Sequence, residues 1–223
     1  MNKVPENPSK NRDADFNALV VVSSLLVSLY LIANLMAVKI IRIGPFSLFD
    51  AGTLTFPFTY MLGDVLAEVW GYRTARRVVL LTFLCNIMLV LFTSLGAVLP
   101  YPDYMQQTQE AYVAIYTYVP RIVAASLVSF LLGELANAKA LVLIRRVQRG
   151  GKALWVRTIG SSMVGYLFDT VLFVVLAFAF TVPASELLSM IAVQYAAKLL
   201  IEAAAGTPLA YWAVSLIRRK SSV

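Results

Sequence analysis

Long apolar runs separated by short polar segments organise nearly the whole chain. Residues 16–41, 77–99, 120–144, 158–182 and 186–217 each reach the ~20 residues that a helix needs to cross a bilayer core. The last run is long enough to tilt or to extend into the interface. A sixth candidate, residues 53–70, opens with "TLTFPFTY" but carries Pro57, Asp64 and Glu68, so hydropathy alone does not decide it. Pro57, four residues into that run, can bend or break the helix, because proline removes an N–H and crowds the preceding turn. Residues 100–119 read as the longest loop. Tyr101, Tyr104, Tyr112, Tyr116 and Tyr118 suit the headgroup level there, where a ring buries its body and hydrates its hydroxyl.

Basic residues decide the sixth run, because Lys and Arg concentrate in short cytoplasmic loops. If residues 53–70 cross and the N-terminus is cytoplasmic, the inner segments hold 14 of the 19 Lys and Arg residues. These are Lys3, Lys10 and Arg12; Arg73, Arg76 and Arg77; five residues in 145–157; and Arg218, Arg219 and Lys220. Lys39, Arg42 and Arg121 fall outside, and Lys139 and Lys198 within spans. A run that merely dipped in and out would turn the 145–157 cluster outward. The expectation is therefore an all-α, polytopic membrane protein with six transmembrane helices and both termini cytoplasmic. Residues 1–15 form a flexible tail without a cleavable leader pattern, 16–217 the transmembrane domain, and 218–223 a basic tail.

Composition agrees. Apolar residues make up 60% of the chain and charged residues 14%, against roughly 45–50% and 25% in soluble domains. Histidine is absent and Cys85 is the one cysteine. An intrachain disulfide is excluded, His- or Cys-based metal sites are not expected, and no cofactor is called for. The net charge of +7 is accounted for by topology and anionic headgroups, so nucleic acid is not an expected partner.

An isolated charge near the bilayer centre costs about 2.5–3.5 kcal/mol, yet Asp64, Glu68, Glu134, Lys139, Asp169, Lys198 and Glu202 lie within the runs. They must face one another or water. At 1.5 Å per residue, Asp169 and Lys198 fall near mid-membrane, Glu134 and Asn137 in the middle to inner half, and Asp64 and Glu68 in the inner half. Lys139 and Glu202 can snorkel or pair between helices, and Glu68 can pair with Arg73 or Arg76. Lys198 and Glu202 stand four apart in the less favourable order for a helix staple, and Gln194 shares their face. Asn34 and Asn86 add neutral hydrogen-bonding groups, while Phe56, Phe58, Tyr60, Tyr166 and Phe168 add flat apolar faces. This set suits a planar, hydrogen-bonding solute better than an inorganic ion. Ala33 and Ala37, and Ala136 and Ala140, form small faces suited to close helix packing.

The segments "NLMAVKI", "FDAGTLTFPFTYMLGDVLAEVWGYRTARRV", "GELANAKAL", "WVRTIGSSMVGYLFDTVLF" and "QYAAKLL" resemble the queuosine precursor transporter family, also called the vitamin uptake transporter or YhhQ family. The similarity spans nearly all six runs. It implies a bacterial inner-membrane importer of 7-deazaguanine bases such as the 7-cyano and 7-aminomethyl forms. Membrane lipids are the other expected partners, and a homo-oligomer is admissible. A guanine-like edge presents two adjacent donors to a carboxylate, a carbonyl to an amide or ammonium, and a face for stacking. Glu134 or Asp169 is then assigned the donor edge; Lys198, Asn137 or Gln194 the carbonyl; Phe56 or Tyr60 the face. Asn34 and Asp64 complete the binding set. Glu68, Asn86 and Glu202 are assigned to the pathway or its support.

Two rivals remain at this stage. One is a substrate-capture subunit of an energy-coupling-factor importer. The other is an intramembrane enzyme using Asp64 and Asp169 as an aspartyl pair, on a chain without an H-E-x-x-H or G-x-S-x-G motif.

Overall fold

The computed structural model describes residues 8–43, 46–147 and 154–221. Helix α1 (Pro8–Met36) leads into a hairpin of β1 (Ile40–Ile43) and β2 (Phe46–Asp50), then a 3-10 turn over Ala51–Leu54. Helices α2 (Phe56–Trp70) and α3 (Tyr72–Val98) follow, then a short α4 (Gln106–Tyr116). The remainder is α5 (Val119–Val147), α6 (Leu154–Phe178), α7 (Ala184–Ile201), a π-helical turn over Glu202–Gly206, and α8 (Thr207–Ser221). Arg149 and Lys152, like residues 1–7 of the N-terminal tail and residues 222–223, lie outside the described residues.

The chain is predominantly helical and carries five segments long and apolar enough to cross a membrane: Asp15–Met36, Tyr72–Val98, Asp103–Ile144, Gly160–Phe178 and Ala184–Ile217. Large apolar side chains on α3, including Leu80, Leu84, Leu91, Phe92 and Leu95, point outward. A soluble fold would not expose so continuous a row, and lipid is the solvent that makes it favourable. Helix α2 is the sixth expected span. Its 15 residues give a rod of about 22 Å, shorter than a full bilayer core. One face of it packs into the bundle, with Leu62, Val65 and Leu66 buried against Val22 and Leu26 of α1, Val78 of α3 and Ile217 of α8.

Four expectations need correction. The first run was expected to stay helical to residue 41, but α1 stops at Met36 and the chain turns into the hairpin. There Ile40 pairs with Asp50 and Ile41 with Phe49, with a register irregularity before Arg42. Pro57 does not bend a helix: it occupies the first turn of α2, where its missing N–H has no intrahelical acceptor to lose. Residues 106–116 form a helix rather than loop; the Tyr112 hydroxyl donates to the Thr93 carbonyl, and the Tyr112 ring packs on Tyr116. The final run is interrupted by the π turn starting at Glu202, which rotates α8 relative to α7 and commonly marks functional sites.

Local chemistry explains how the hairpin region holds. Asp50 caps the 3-10 turn, accepting from the Thr53 amide at 3.2 Å and the Thr53 hydroxyl at 3.1 Å. Gly52 allows that turn to lie on α1, because a β-carbon there would collide with the Ala33 carbonyl. The Ala33 face thus receives this turn. Gly71 joins α2 to α3 in one residue at φ 82°, a conformation that an L side chain rarely adopts. Trp70 donates to Asp15 at 3.0 Å, tying the end of α2 to the start of α1's apolar part. Arg121 reaches the carbonyls of Leu176 and Ala179, satisfying the C-terminal end of α6 with a cation.

Candidate functional site

The α5–α6 contact begins the site. A β-carbon at Gly133 would stand 2.9 Å from the Asp169 β-carbon, and one at Gly165 would stand 2.9 Å from that of Asn137. Two glycines, each opposite a polar residue, therefore set the separation of these helices. The expected packing face at Ala136 and Ala140 is only partly buried; closest approach runs through Gly133 and Gly165 instead. Asp169 is thereby held deep in the bundle, 1% exposed.

Across from it, α7 supplies Lys198, whose ammonium lies 2.8 Å from Asp169 Oδ2. The same ammonium stands 5.1 Å from the Phe56 ring centroid and 6.0 Å from that of Phe173. Such contacts supplement the ion pair in a desolvated setting. Asp169 Oδ1 and Gln194 Oε1 are buried without a hydrogen-bond partner. An unmade bond of that kind costs about 1–3 kcal/mol, so each is an acceptor awaiting a donor.

These groups share one small pocket, lined by Ala33, Ala37, Asp50, Gly52, Thr53, Phe56, Asp169, Phe173, Gln194 and Lys198. Its free space is close to that of one water molecule. A base-sized ligand enters only if the lining separates, and the conformation is closed in that sense.

Of the residues expected to bind, Phe56, Asp169, Gln194 and Lys198 come together here. Tyr60 sits next to the pocket, with its ring centroid 5.4 Å from Phe56 and 4.9 Å from Tyr166. Phe56, Tyr60 and Tyr166 thus form an aromatic column. At its far end Asp64 lies two helical turns beyond Phe56, about 12 Å along α2. Asp64 is exposed and lies within electrostatic reach of Glu134 and Glu202. Asn137 lies at the glycine seam with its Oδ1 buried and unpaired. Phe58 and Phe168 are outside the pocket lining, and Phe168 is exposed. Glu68 and Lys139 are exposed.

Asn34 and Asn86 are placed elsewhere. The Asn34 amide donates to Asn86 Oδ1 at 2.6 Å, and the Asn86 amide donates to the Thr82 carbonyl at 2.9 Å. This buried chain ties α1 to α3, the type of interhelical bond that replaces hydrophobic drive within lipid.

The sequence reading missed Asp50, Gly52, Thr53 and Phe173. The signal for the first three was present in "FDAGTLTFP": an Asp with a Thr three residues on, ahead of a helical run, is a cap.

Buried charge, unpaired acceptors and aromatic rings, enclosed by helices with apolar outer faces, define a multi-pass membrane protein with an internal polar site. The chain belongs to the family described as "Putative vitamin uptake transporter", which matches residues 50–213. It is 30% identical over 185 residues to a "Probable queuosine precursor transporter" of Bacillus subtilis (strain 168), covering 83% of this chain and 80% of that protein. It is also 27% identical over 127 residues to a protein of the same description from Haemophilus influenzae (strain ATCC 51907 / DSM 11121 / KW20 / Rd), covering 57% and 51% of the two chains. No solved structure matches. The family is one of transporters, not enzymes, and the aspartyl-enzyme reading falls with that.

Proposed function

We propose that the protein imports queuosine precursors, 7-deazaguanine bases, across the bacterial inner membrane. The pocket between Asp169, Gln194, Lys198 and Phe56 would be where the base is recognised. One observation carries this reading: Asp169 gives one oxygen to Lys198 and keeps the other unpaired, beside an unpaired Gln194 oxygen. Two buried acceptors next to an aromatic face complement the adjacent N–H donors of a guanine-like edge, and the Lys198 ammonium complements its carbonyl. The names of the two relatives support the same substrate class.

In this reading α2 is the sixth span, both termini are cytoplasmic, and the base moves from the pocket along the Phe56–Tyr60–Tyr166 column toward Asp64, Glu134 and Glu202. The closed pocket is then the occluded stage of the cycle. Uptake of labelled 7-cyano-7-deazaguanine into proteoliposomes tests it directly. Saturable uptake blocked by excess unlabelled precursor and not by adenine is expected. Uptake no faster than in empty liposomes, or equal inhibition by adenine, would reject the reading.

A further inference from the structure

The pocket's polar inventory is unbalanced. Asp50 and Asp169 contribute two carboxylates, and Lys198 is the cation that lines the pocket with them. Asp50 lies within electrostatic reach of the Lys198 ammonium, and Asp169 is paired with it. The free hydrogen-bonding capacity leans the same way, since Asp169 Oδ1 and Gln194 Oε1 are both acceptors. The site already holds an ammonium in a cage of carboxylate and ring faces, namely that of Lys198 between Asp169, Phe56 and Phe173. A low-dielectric pocket with one negative charge in excess favours a positively charged ligand over a neutral one of the same shape.

We propose that this pocket selects bases bearing a protonated primary amine, and that Asp50 is the residue that sets the preference. The inference rests on the reading of the pocket as a 7-deazaguanine site. Asp50 is suited to the role because both its oxygens are held by Thr53: its charge acts through space while its position is fixed. Asp50→Asn leaves that position intact, since its carbonyl oxygen still accepts from the Thr53 amide and its NH2 donates to the Thr53 hydroxyl oxygen. Only the charge is lost.

The test is equilibrium binding to the full chain in lipid nanodiscs at neutral pH, with 7-aminomethyl-7-deazaguanine and its neutral isostere 7-hydroxymethyl-7-deazaguanine. Wild-type protein is expected to bind the aminomethyl base at least about tenfold more tightly. In Asp50→Asn the ratio should fall to within about threefold, the loss falling mainly on the aminomethyl base. Asp50→Ser, which also retains a capping oxygen, provides the same reading if the amide variant folds poorly. Equal affinities in the wild type would overturn the selectivity while leaving the deazaguanine site standing. An unchanged ratio in both variants would overturn the role of Asp50. Binding of neither base would reject the site itself, and this inference with it.

Discussion

The Asp169–Lys198 pair makes the sharpest energetic prediction. At 2.8 Å, two unit charges attract by about 6 kcal/mol gross at an effective dielectric of 20. Desolvation of both groups, 1% and 2% exposed, offsets much of that. The net value of the intact pair is therefore small, whereas removal of one partner strands a buried charge at a cost of about 3–5 kcal/mol. Asp169→Asn and Lys198→Met should each destabilise by that amount. The double variant, with no stranded charge, should lose less than the sum of the two by about 2–3 kcal/mol. Equilibrium unfolding in mixed micelles measures all four corners of the cycle. The double variant should fold but not transport, because the carboxylate charge that pairs the donor edge of a base and the ammonium that meets its carbonyl are both gone. Strict additivity would show that the two side chains do not interact and would refute this geometry.

Further outcomes test other parts of the account. Asp64→Asn, at the far end of the aromatic column, should cut uptake at least about tenfold with little change in melting temperature, as expected for a charge that serves the pathway. Glu68→Gln, on the exposed side of α2, should instead lower stability by about 0.5–1 kcal/mol and leave uptake intact; the reverse pattern would exchange their roles. Gly52→Ala should cost about 1–3 kcal/mol by overpacking and weaken substrate binding, because its β-carbon meets the Ala33 carbonyl and pushes the Asp50 turn off the pocket; unchanged affinity would remove that turn from the site. In a Cys85→Ala background, a cysteine placed within 104–112 should react with an impermeant thiol reagent in intact cells and one within 145–157 should not. Labelling at 145–157 would reject six spans with both ends inside.

Much of this organisation was legible in the sequence because membrane solvent imposes simple rules. Span length follows from bilayer thickness, and a charge inside a long apolar run must have a partner, so Asp169, Lys198 and Gln194 stood out. What escaped notice depends on folding back. Asp50 lies between runs, where a charge reads as solvated, and only the approach of Gly52 to Ala33 carries it into the bundle. The same turn starts α2 one residue before Pro57, which converts an expected kink into a first-turn proline. The alanine pairs were visible as small faces, but spacing alone could not say that Gly133 and Gly165 would make the closest contact. The π turn over Glu202–Gly206 runs just ahead of Pro208, whose missing N–H leaves the Ala204 carbonyl without its helical donor, a signal in "EAAAGTP" that hydropathy does not register. Asn34 and Asn86 carry the chemistry of ligand contacts, and their use on one another is decided by where α1 and α3 cross.

The most direct test of the central claim is the affinity of Gln194→Leu for 7-cyano-7-deazaguanine. Gln194 is 1% exposed and its Oε1 has no partner, so replacement by an apolar side chain of similar size removes an unsatisfied group. A purely structural glutamine would leave affinity unchanged while stability held or rose by about 1 kcal/mol. A recognition acceptor predicts the same stability and a loss of affinity of at least about tenfold, because the donor edge of the base is left unpaired in a dry pocket. Full affinity in a stable Gln194→Leu protein would contradict the assignment of this pocket to the substrate.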